Sequence, residues 1–443
     1  GSHTCKEFTD LKNDCNLSLF KIQTALLKAE TVNDYVALRT LVQRNFKCKE
    51  SLKLVENICL ESANASFEIN DVYASNDLNT ISFITNFPVD QHLNMLCSYV
   101  LSLITTKDQL KINVLVTGES EWYLWRRTKE QEWEDNIQNA IISFLNYREY
   151  SAADVKKIMS RISIIIAPTE KLIPTVMGDL CIRLIGISNR TSTFIYAKHM
   201  MRFIPVISIT FTSSTQNDGL SHVLFTRYKP VKKGGIQYIT PVVKPVINLS
   251  QQRNSKARNI ITILSQERIY TALSHLTEKD WLYISDFFDN NPLLNWLLIG
   301  SNNVKKVYEL LNNKLIFKYV SRFQIVEFAD LDDKFIETFA YLCFEKSFGG
   351  GGAANYAFSK GIPVIVCDSW KSDVSNHTEP STRTDNFEHS LKLIGHLYSD
   401  KNEHVEFVKK QTEFYKLRCN LAFKGEELYE KLEYVFRNFD CTD

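Results

Sequence analysis

Four consecutive glycines, Gly349 to Gly352, separate Phe348 from the run Ala353-Ala354-Asn355-Tyr356-Ala357-Phe358. Only glycine lets backbone amides approach a ligand this closely. The apolar run reads as a helix start, so the amides of the turn and of the first helical turn converge on one spot. The helix dipole adds about half a positive charge there. Such a nest takes an anion, and a diphosphate fills it without any lysine. Residue order argues against two commoner phosphate loops. Lys346 and Ser347 precede the glycines, whereas a G-x-x-x-x-G-K-S/T loop carries them afterwards. The run also does not follow a strand at the start of a domain, as the dinucleotide fingerprint of dehydrogenases does. The competing reading, a flexible surface loop, leaves the sequel unexplained. Ser359-Lys360-Gly361-Ile362-Pro363-Val364-Ile365-Val366 spells a helix stopped at a glycine cap and a tight turn feeding a β-rich strand.

A bound anion calls for a cation, and a group transferred from it calls for a base. Arg268, just after Ser265-Gln266-Glu267, is the preferred cation; the bland reading is a solvated surface arginine. For the base, Asn86-Phe87-Pro88-Val89-Asp90-Gln91-His92 follows a strand, at the end where open α/β sheets hold ligands. It offers Asp90 and His92, against which stands a helix N-cap at Asp90 and a first-turn residue at His92. Asp218 and His222 are second choices. Asp330-Leu331-Asp332 spells the D-x-D of a metal site. Its place between a strand and a helix makes Asp332 or Asp333 an N-cap instead, so no metal ligand is assigned. Trp122, Tyr123, Trp125 and Trp133 could stack on a sugar face, although core packing is the commoner use of such a stripe.

These residues need a frame to hold them. The chain has 443 residues, beyond the roughly 250 at which a single core stops growing. Lys plus Arg number 52 against 51 Asp plus Glu, which argues against a nucleic-acid partner. Ten cysteines lie scattered without a C-x-x-C pair, as in a reduced, cytoplasmic protein without zinc or a disulfide framework. Gly1-Ser2-His3 looks like the scar of a purification tag. No apolar run reaches the roughly 20 residues that span a bilayer, so any membrane contact is expected to be peripheral, on the inner face. Asn, Lys and Ile usage suggests a bacterial source.

Apolar residues at helical spacing from Leu19 to Glu61 predict a helical extension over 1–75, packed on the next domain or offered to a partner. From Thr80 the pattern becomes strands at 81–85, 112–116, 162–166, 203–211 and 222–226, alternating with helices at 91–104 and 130–145. This predicts a Rossmann-like domain over 76–250. The loop-rich stretch 228–258 reads as the linker. Alternation resumes with strands at 259–264, 296–300, 323–328 and 363–366 and helices at 276–289, 303–312 and 334–345. A second such domain thus covers 251–443, closed by helices from Phe387 to Phe439, with room for one to cross back to the first domain.

The glycine turn, small-residue helix and K-G-I-P-V-I-V strand resemble the nucleotide-sugar site of GT-B glycosyltransferases, whose usual form ends in G-x-P-V-V. Arg202-Phe203-Ile204-Pro205-Val206 and Ser221-His222-Val223-Leu224 resemble the R-L-A-P-V and D-Y-V runs of the group that holds the O-GlcNAc transferases and bacterial adhesin N-glucosyltransferases. Phe348-Gly349 and Gly361 match that group's spacing. Thr212-Ser213 stands where the group carries Gly-His, and Tyr356 where it carries an acidic residue.

The resemblance implies an α/β protein of GT-B form, two Rossmann-like domains facing a cleft, with the first receiving a protein or surface-glycan acceptor. The second would hold a nucleotide-sugar donor, expected to be UDP-linked. It implies that amides of Gly349, Gly350, Gly351, Gly352, Ala353, Ala354 and Asn355, with Arg268 near the place of the group's diphosphate lysine, bind that donor without a cofactor or metal. Two other outcomes fit the same residues: a sugar-nucleotide epimerase of double-Rossmann form, and a non-catalytic binding protein that keeps the fold.

Overall fold

The computed structural model describes residues 79–85, 90–116, 130–166, 182–186, 206–209, 223–226, 234–244, 257–345, 351–370 and 372–438. The predicted extension over 1–75 lies outside them. The chain divides into two compact units, Gly1–Lys244 with Leu421–Asp443, and Pro245–Asn420.

The first unit is a parallel sheet of seven strands in the order β3-β2-β1-β4-β5-β6-β7. They are β1 (Thr80–Thr85), β2 (Lys111–Val116), β3 (Ile162–Ile166), β4 (Ile182–Gly186), β5 (Val206–Ile209), β6 (Val223–Thr226) and β7 (Gly235–Gln237). The expected strands at 81–85, 112–116 and 162–166 are β1 to β3. β4 was not expected, and β7 lies inside the stretch read as linker. The helices are α1 (Asp90–Ile104), α2 (Glu130–Tyr147) and α3 (Ala152–Met159). Trp133, Ile137, Ile141 and Leu145 recur along α2 at helical spacing and are buried with Phe83, Val114, Leu96 and Val100. Each such side chain, fully buried, contributes roughly 1.5–3 kcal/mol. Trp133 is therefore core. Arg161 donates to the carbonyls of Ile104, Lys107 and Leu110, so it satisfies chain ends that the last turn of α1 leaves open.

The second unit is a parallel sheet of five strands in the order β10-β9-β8-β11-β12: β8 (Asn259–Gln266), β9 (Asn295–Ser301), β10 (Phe323–Val326), β11 (Thr338–Leu342) and β12 (Val364–Ile365). Its helices are α4 (Arg268–Ser274), α5 (Glu278–Asn290), α6 (Val304–Lys314), α7 (Phe317–Val320), α8 (Leu331–Ile336), α9 (Gly351–Ser359), α10 (Asp373–Asn376), α11 (Phe387–Ser399) and α12 (Lys401–Cys419). Thr277 and Asp280 close a capping box on α5. The helix expected over 334–345 is a correction. Only its first residues lie in α8, and Thr338–Leu342 is the central strand β11. All five of its residues are buried, and a strand covered on both faces shows no alternation to separate it from a buried helix.

β12 is an edge strand, and the side chain of Gln411 on α12 serves as its missing neighbour. Gln411 Oε1 accepts from Val364 N–H at 2.9 Å, and Nε2 donates to Val364 C=O at 2.6 Å. The edge is thereby paired without a further strand. α9 ends as expected at Gly361, whose φ of +69° favours glycine. Ile362 N–H returns to the carbonyl of Ala357 at 3.0 Å, the long bond of a left-handed helix cap.

The last helix is α13 (Leu421–Arg437), the crossing back to the first domain for which the closing helices left room. It belongs to the first unit, where Leu428, Leu432 and Val435 join the core built on β1, β2 and α1. Gly425 permits the contact. A Cβ there would lie 2.0 Å from the carbonyl oxygen of Ser102 and 2.1 Å from Thr106 Oγ1 on α1 and its trailing turn. Tyr238, whose phenol burial holds well above its ordinary value, donates to the Lys424 carbonyl at 2.9 Å, and the Lys424 ammonium lies 4.3 Å from the Tyr238 ring centroid.

Candidate functional site

Both sheets reverse strand order between their first strand and the one that follows the early pairs: β1 beside β4 in the first unit, β8 beside β11 in the second. Chain connections leave such a point in opposite directions, which opens a crevice at the carboxyl ends of the strands. In the second unit the segment after β8 carries Glu267 and Arg268, the segment after β11 carries Cys343, Phe344 and Glu345, and α9 begins six residues later. Thus the glycine-rich helix opens from the carboxyl end of a strand at the order reversal. The glycine turn follows a strand, where the sequence alone had suggested a helix.

Gly351, Gly352, Ala353, Ala354 and Asn355 are the opening residues of α9. Its first amides have no partner within the helix and point out of its amino end. Gly349 and Gly350 lie outside the described residues. Gly352 is exposed, and among the described residues nothing lies within 4 Å of the position a Cβ would take. Ala354 is buried, as are Ala357 and Phe358, so α9 is anchored by one face. Tyr356 on the opposite side is exposed and stacks on Phe335 of α8 at 6.3 Å.

Arg268, expected as a lone cation, opens α4 and makes a bidentate pair with Glu345. Its Nη2 lies 2.7 Å from Oε1 and 2.8 Å from Oε2, and its Nε 3.0 Å from Oε1. The Glu345 side chain is 4% exposed and that of Arg268 32%. The carboxylate lies beneath and the guanidinium reaches outward, joining the ends of β8 and β11. A carboxylate so buried needs its partner, so the pair holds Arg268 in one orientation. Glu345 carried no signal in the sequence, because its partner lies 77 positions away. Beneath the pair, burial pushes the Tyr341 phenol well above its usual range, and it donates to the Ile263 carbonyl at 3.3 Å.

Behind α9 lies a second polar group that the sequence did not reveal. Arg418, near the end of α12, is 4% exposed. Its Nη1 donates to Asn355 Oδ1 at 3.2 Å and its Nη2 to His377 Nδ1 at 3.2 Å. A guanidinium only donates, so His377 accepts through Nδ1 and, when neutral, carries its proton on Nε2. His377 follows α10 and is itself buried.

The remaining candidates fall elsewhere. Asp90 is the first residue of α1, directly past the carboxyl end of β1 at the first unit's strand reversal, and His92 lies in the same first turn. Their side chains, the loop 86–89, and Asp218, His222, Trp122, Tyr123 and Trp125 lie outside the described residues. Asp330, and neither Asp332 nor Asp333, caps α8; its Oδ1 accepts from both of those amides, at 3.0 and 3.4 Å. The carboxylate of the N-cap reaches back over the first turn, which excludes those two from the capping position. Among the described residues, His396, Asp400 and Glu403 are close enough together to hold a cation. Asp400 is engaged as the N-cap of α12.

No family model matches the chain, and no curated protein matches it in sequence. Solved structures do. A mutant of the Thermobaculum terrenum O-GlcNAc transferase superposes at a TM-score of 0.56 with 10% identity, covering 96% of this chain and 81% of that one. A protein described as a UDP-N-acetylglucosamine 2-epimerase from Listeria monocytogenes gives 0.44 with 12% identity over 82% of this chain and 98% of that one. The pneumococcal O-GlcNAc transferase GtfA, solved with UDP and GlcNAc, gives 0.33 with 14% identity over 58% and 57%. The first of these likenesses, together with the two parallel sheets, identifies the fold as GT-B.

Proposed function

We propose that this chain is a glycosyltransferase that takes a sugar from a nucleotide-diphosphate donor, UDP-linked, and passes it to a protein or surface-glycan acceptor. The observation that carries the reading is the opening of α9 from the carboxyl end of β11 at the strand reversal of a GT-B fold. The diphosphate of the donor sits against the amides of Gly349 to Ala354. As the bond from the anomeric carbon to the diphosphate breaks, negative charge grows on the leaving oxygen, and fixed amide dipoles stabilise it without reorganising. Arg268, held by Glu345, donates to the same phosphates. The first unit binds the acceptor, with Asp90 or His92 at the start of α1 removing its proton if configuration inverts. Amides and one guanidinium suffice for the leaving group, so the reaction proceeds without a metal.

Isothermal titration calorimetry with UDP, UDP-GlcNAc and UDP-glucose, with and without EDTA, tests this reading. Micromolar binding that EDTA leaves unchanged is expected, followed by sugar transfer to an acceptor seen by mass spectrometry. Absence of binding to every uridine diphosphate tried sinks it. Release of an altered free sugar without any acceptor replaces transfer by epimerisation.

A further inference from the structure

The run Glu327-Phe328-Ala329-Asp330-Leu331-Asp332-Asp333-Lys334-Phe335-Ile336-Glu337 holds five carboxylates and one lysine, in a chain whose net charge is +1. It leads from the end of β10 through α8, and all five carboxylate residues are exposed. Apolar side chains stand in water among them. Phe328 is 86% exposed and Ile336 55%, and Tyr356 on α9 adds a third at 47%. α8 and α9 lie side by side in opposite directions. Phe335 stacks on Tyr356 at 6.3 Å, while Asp332, one turn before Phe335, pairs with Lys360, one turn after Tyr356, at 3.9 Å. Ile336 and Tyr356 therefore both adjoin the buried ring of Phe335. Phe328 stands beyond the other end of α8, whose six residues rise about 9 Å. The outward face between holds Asp332 and Asp333, with Ile336 and Glu337 one turn on. A single exposed apolar residue is ordinary. Three around one short helix, interleaved with carboxylates, have the make-up of an interface, apolar anchors within a charged rim.

We propose that this face of α8 docks a polypeptide segment that carries lysine or arginine between two apolar side chains. Charge selects the class of partner. The carboxylates repel nucleic acid and anionic lipid, whose phosphates would face them, and they draw in a cationic segment. Spacing selects the form. Phe328 and Ile336 stand about the length of α8 apart, which residues i and i+7 of a partner helix match at about 10.5 Å. Basic residues at i+3 and i+4 of that helix then meet Asp332 and Asp333. Asp330 adds charge only, because its Oδ1 already accepts from the amides of both. The surface stands independently of the donor site.

The test titrates the full chain into a fluorescently labelled, alanine-based helical peptide with leucine at i and i+7 and lysine at i+3 and i+4, read by anisotropy. A second peptide carries glutamate in place of the lysines. Thermal unfolding runs alongside for every variant, and all the substituted residues are exposed, so the fold is expected to be kept. The native chain is expected to bind the lysine peptide at least about tenfold more tightly than the glutamate peptide. Phe328→Ser is expected to weaken the lysine peptide about tenfold, as loss of an aromatic anchor does. Asp332→Asn together with Asp333→Asn is expected to weaken it about threefold and to flatten its salt dependence. Leu282→Ser, on α5 and 64% exposed in the native chain, is expected to change nothing. Absence of binding of the lysine peptide to the native chain overturns the proposal. So does equal affinity in Phe328→Ser and the native chain, or equal affinity for the lysine and glutamate peptides. A loss in Leu282→Ser as large as that in Phe328→Ser overturns the assignment to α8.

Discussion

Two helices of this protein carry an exceptional glycine, and the reasons differ. On α13 of the first unit, Gly425 is buried against α1, and even a methyl group would meet the Ser102 carbonyl oxygen at 2.0 Å. On α9 of the second unit, Gly352 is exposed, with nothing among the described residues near its missing Cβ. The first glycine is required by packing within the protein. For the second, no packing reason stands among the described residues. Under the donor site proposed above, that space is kept clear for the ligand. The same division runs through the polar groups: those around α13 close a core, whereas Arg268 with Glu345 joins the ends of β8 and β11 at the strand reversal of the second unit.

The sharpest way to break this comparison is to fill both glycines. Gly425→Leu is expected to cost upwards of about 3 kcal/mol, since backbone on α1 must move to admit it. Urea unfolding measures the loss. Alkylation of Cys97 gives a second reading, because burial pushes that thiol up to about 12 and it reacts only when α1 opens. Unchanged stability would mean that α13 does not dock this closely. The ion pair gives the next largest effect. Arg268→Ala strands a carboxylate that is 4% exposed, and about 2–3 kcal/mol is expected, below the range for a wholly buried pair. Glu345→Ala is expected to cost less, because Arg268 can turn to water. The reverse order would show that the carboxylate is not the buried member. Gly352→Leu is expected to raise stability by up to about 1 kcal/mol while weakening UDP by tenfold or more, about 1.4 kcal/mol. A leucine there that leaves UDP binding intact would end the claim that this face is kept clear for a ligand.

The smallest effect belongs to the surface, where nothing is kept clear or closed. Tyr319 donates to Asp289 at 2.7 Å and Lys318 pairs with it at 3.2 Å. The hydrogen bond from Tyr319, then that from Lys318, holds the Asp289 carboxyl below its usual value. A carboxyl depressed in the folded state stabilises above the unfolded aspartate value, and that contribution is lost as pH falls through the folded value. Tyr319→Phe should therefore shrink a slight acid-side loss of stability, read as the urea midpoint from pH 5 downward. A midpoint shift confined to neutral pH would contradict this assignment.

Much of the fold could be read from residues close together in the chain. β-branched runs such as Ile112 to Val116 and Asn259 to Leu264, alternating with helical spacing, imply parallel sheets with helices between them. Gly361 before Ile362-Pro363 marks a helix end, because the left-handed cap is a local demand that glycine meets at least cost. The glycine run reads as an anion nest on the same local ground. β11 could not be read this way. Its residues are apolar on both faces, and only the neighbours β8 and β12 make it a strand.

Local sequence thus determined the repeated α/β pattern, the place of the glycine turn and the cap behind it, since each follows from backbone preferences and apolar spacing over a few residues. Tertiary structure alone decided that α13 returns to the first core, that Glu345 holds Arg268 across 77 positions, and that Arg418 donates to Asn355 across 63. Those depend on which side chains meet after the sheets form. A short-range pattern carries no record of them, because burial and hydrogen-bond partners are properties of the packed chain.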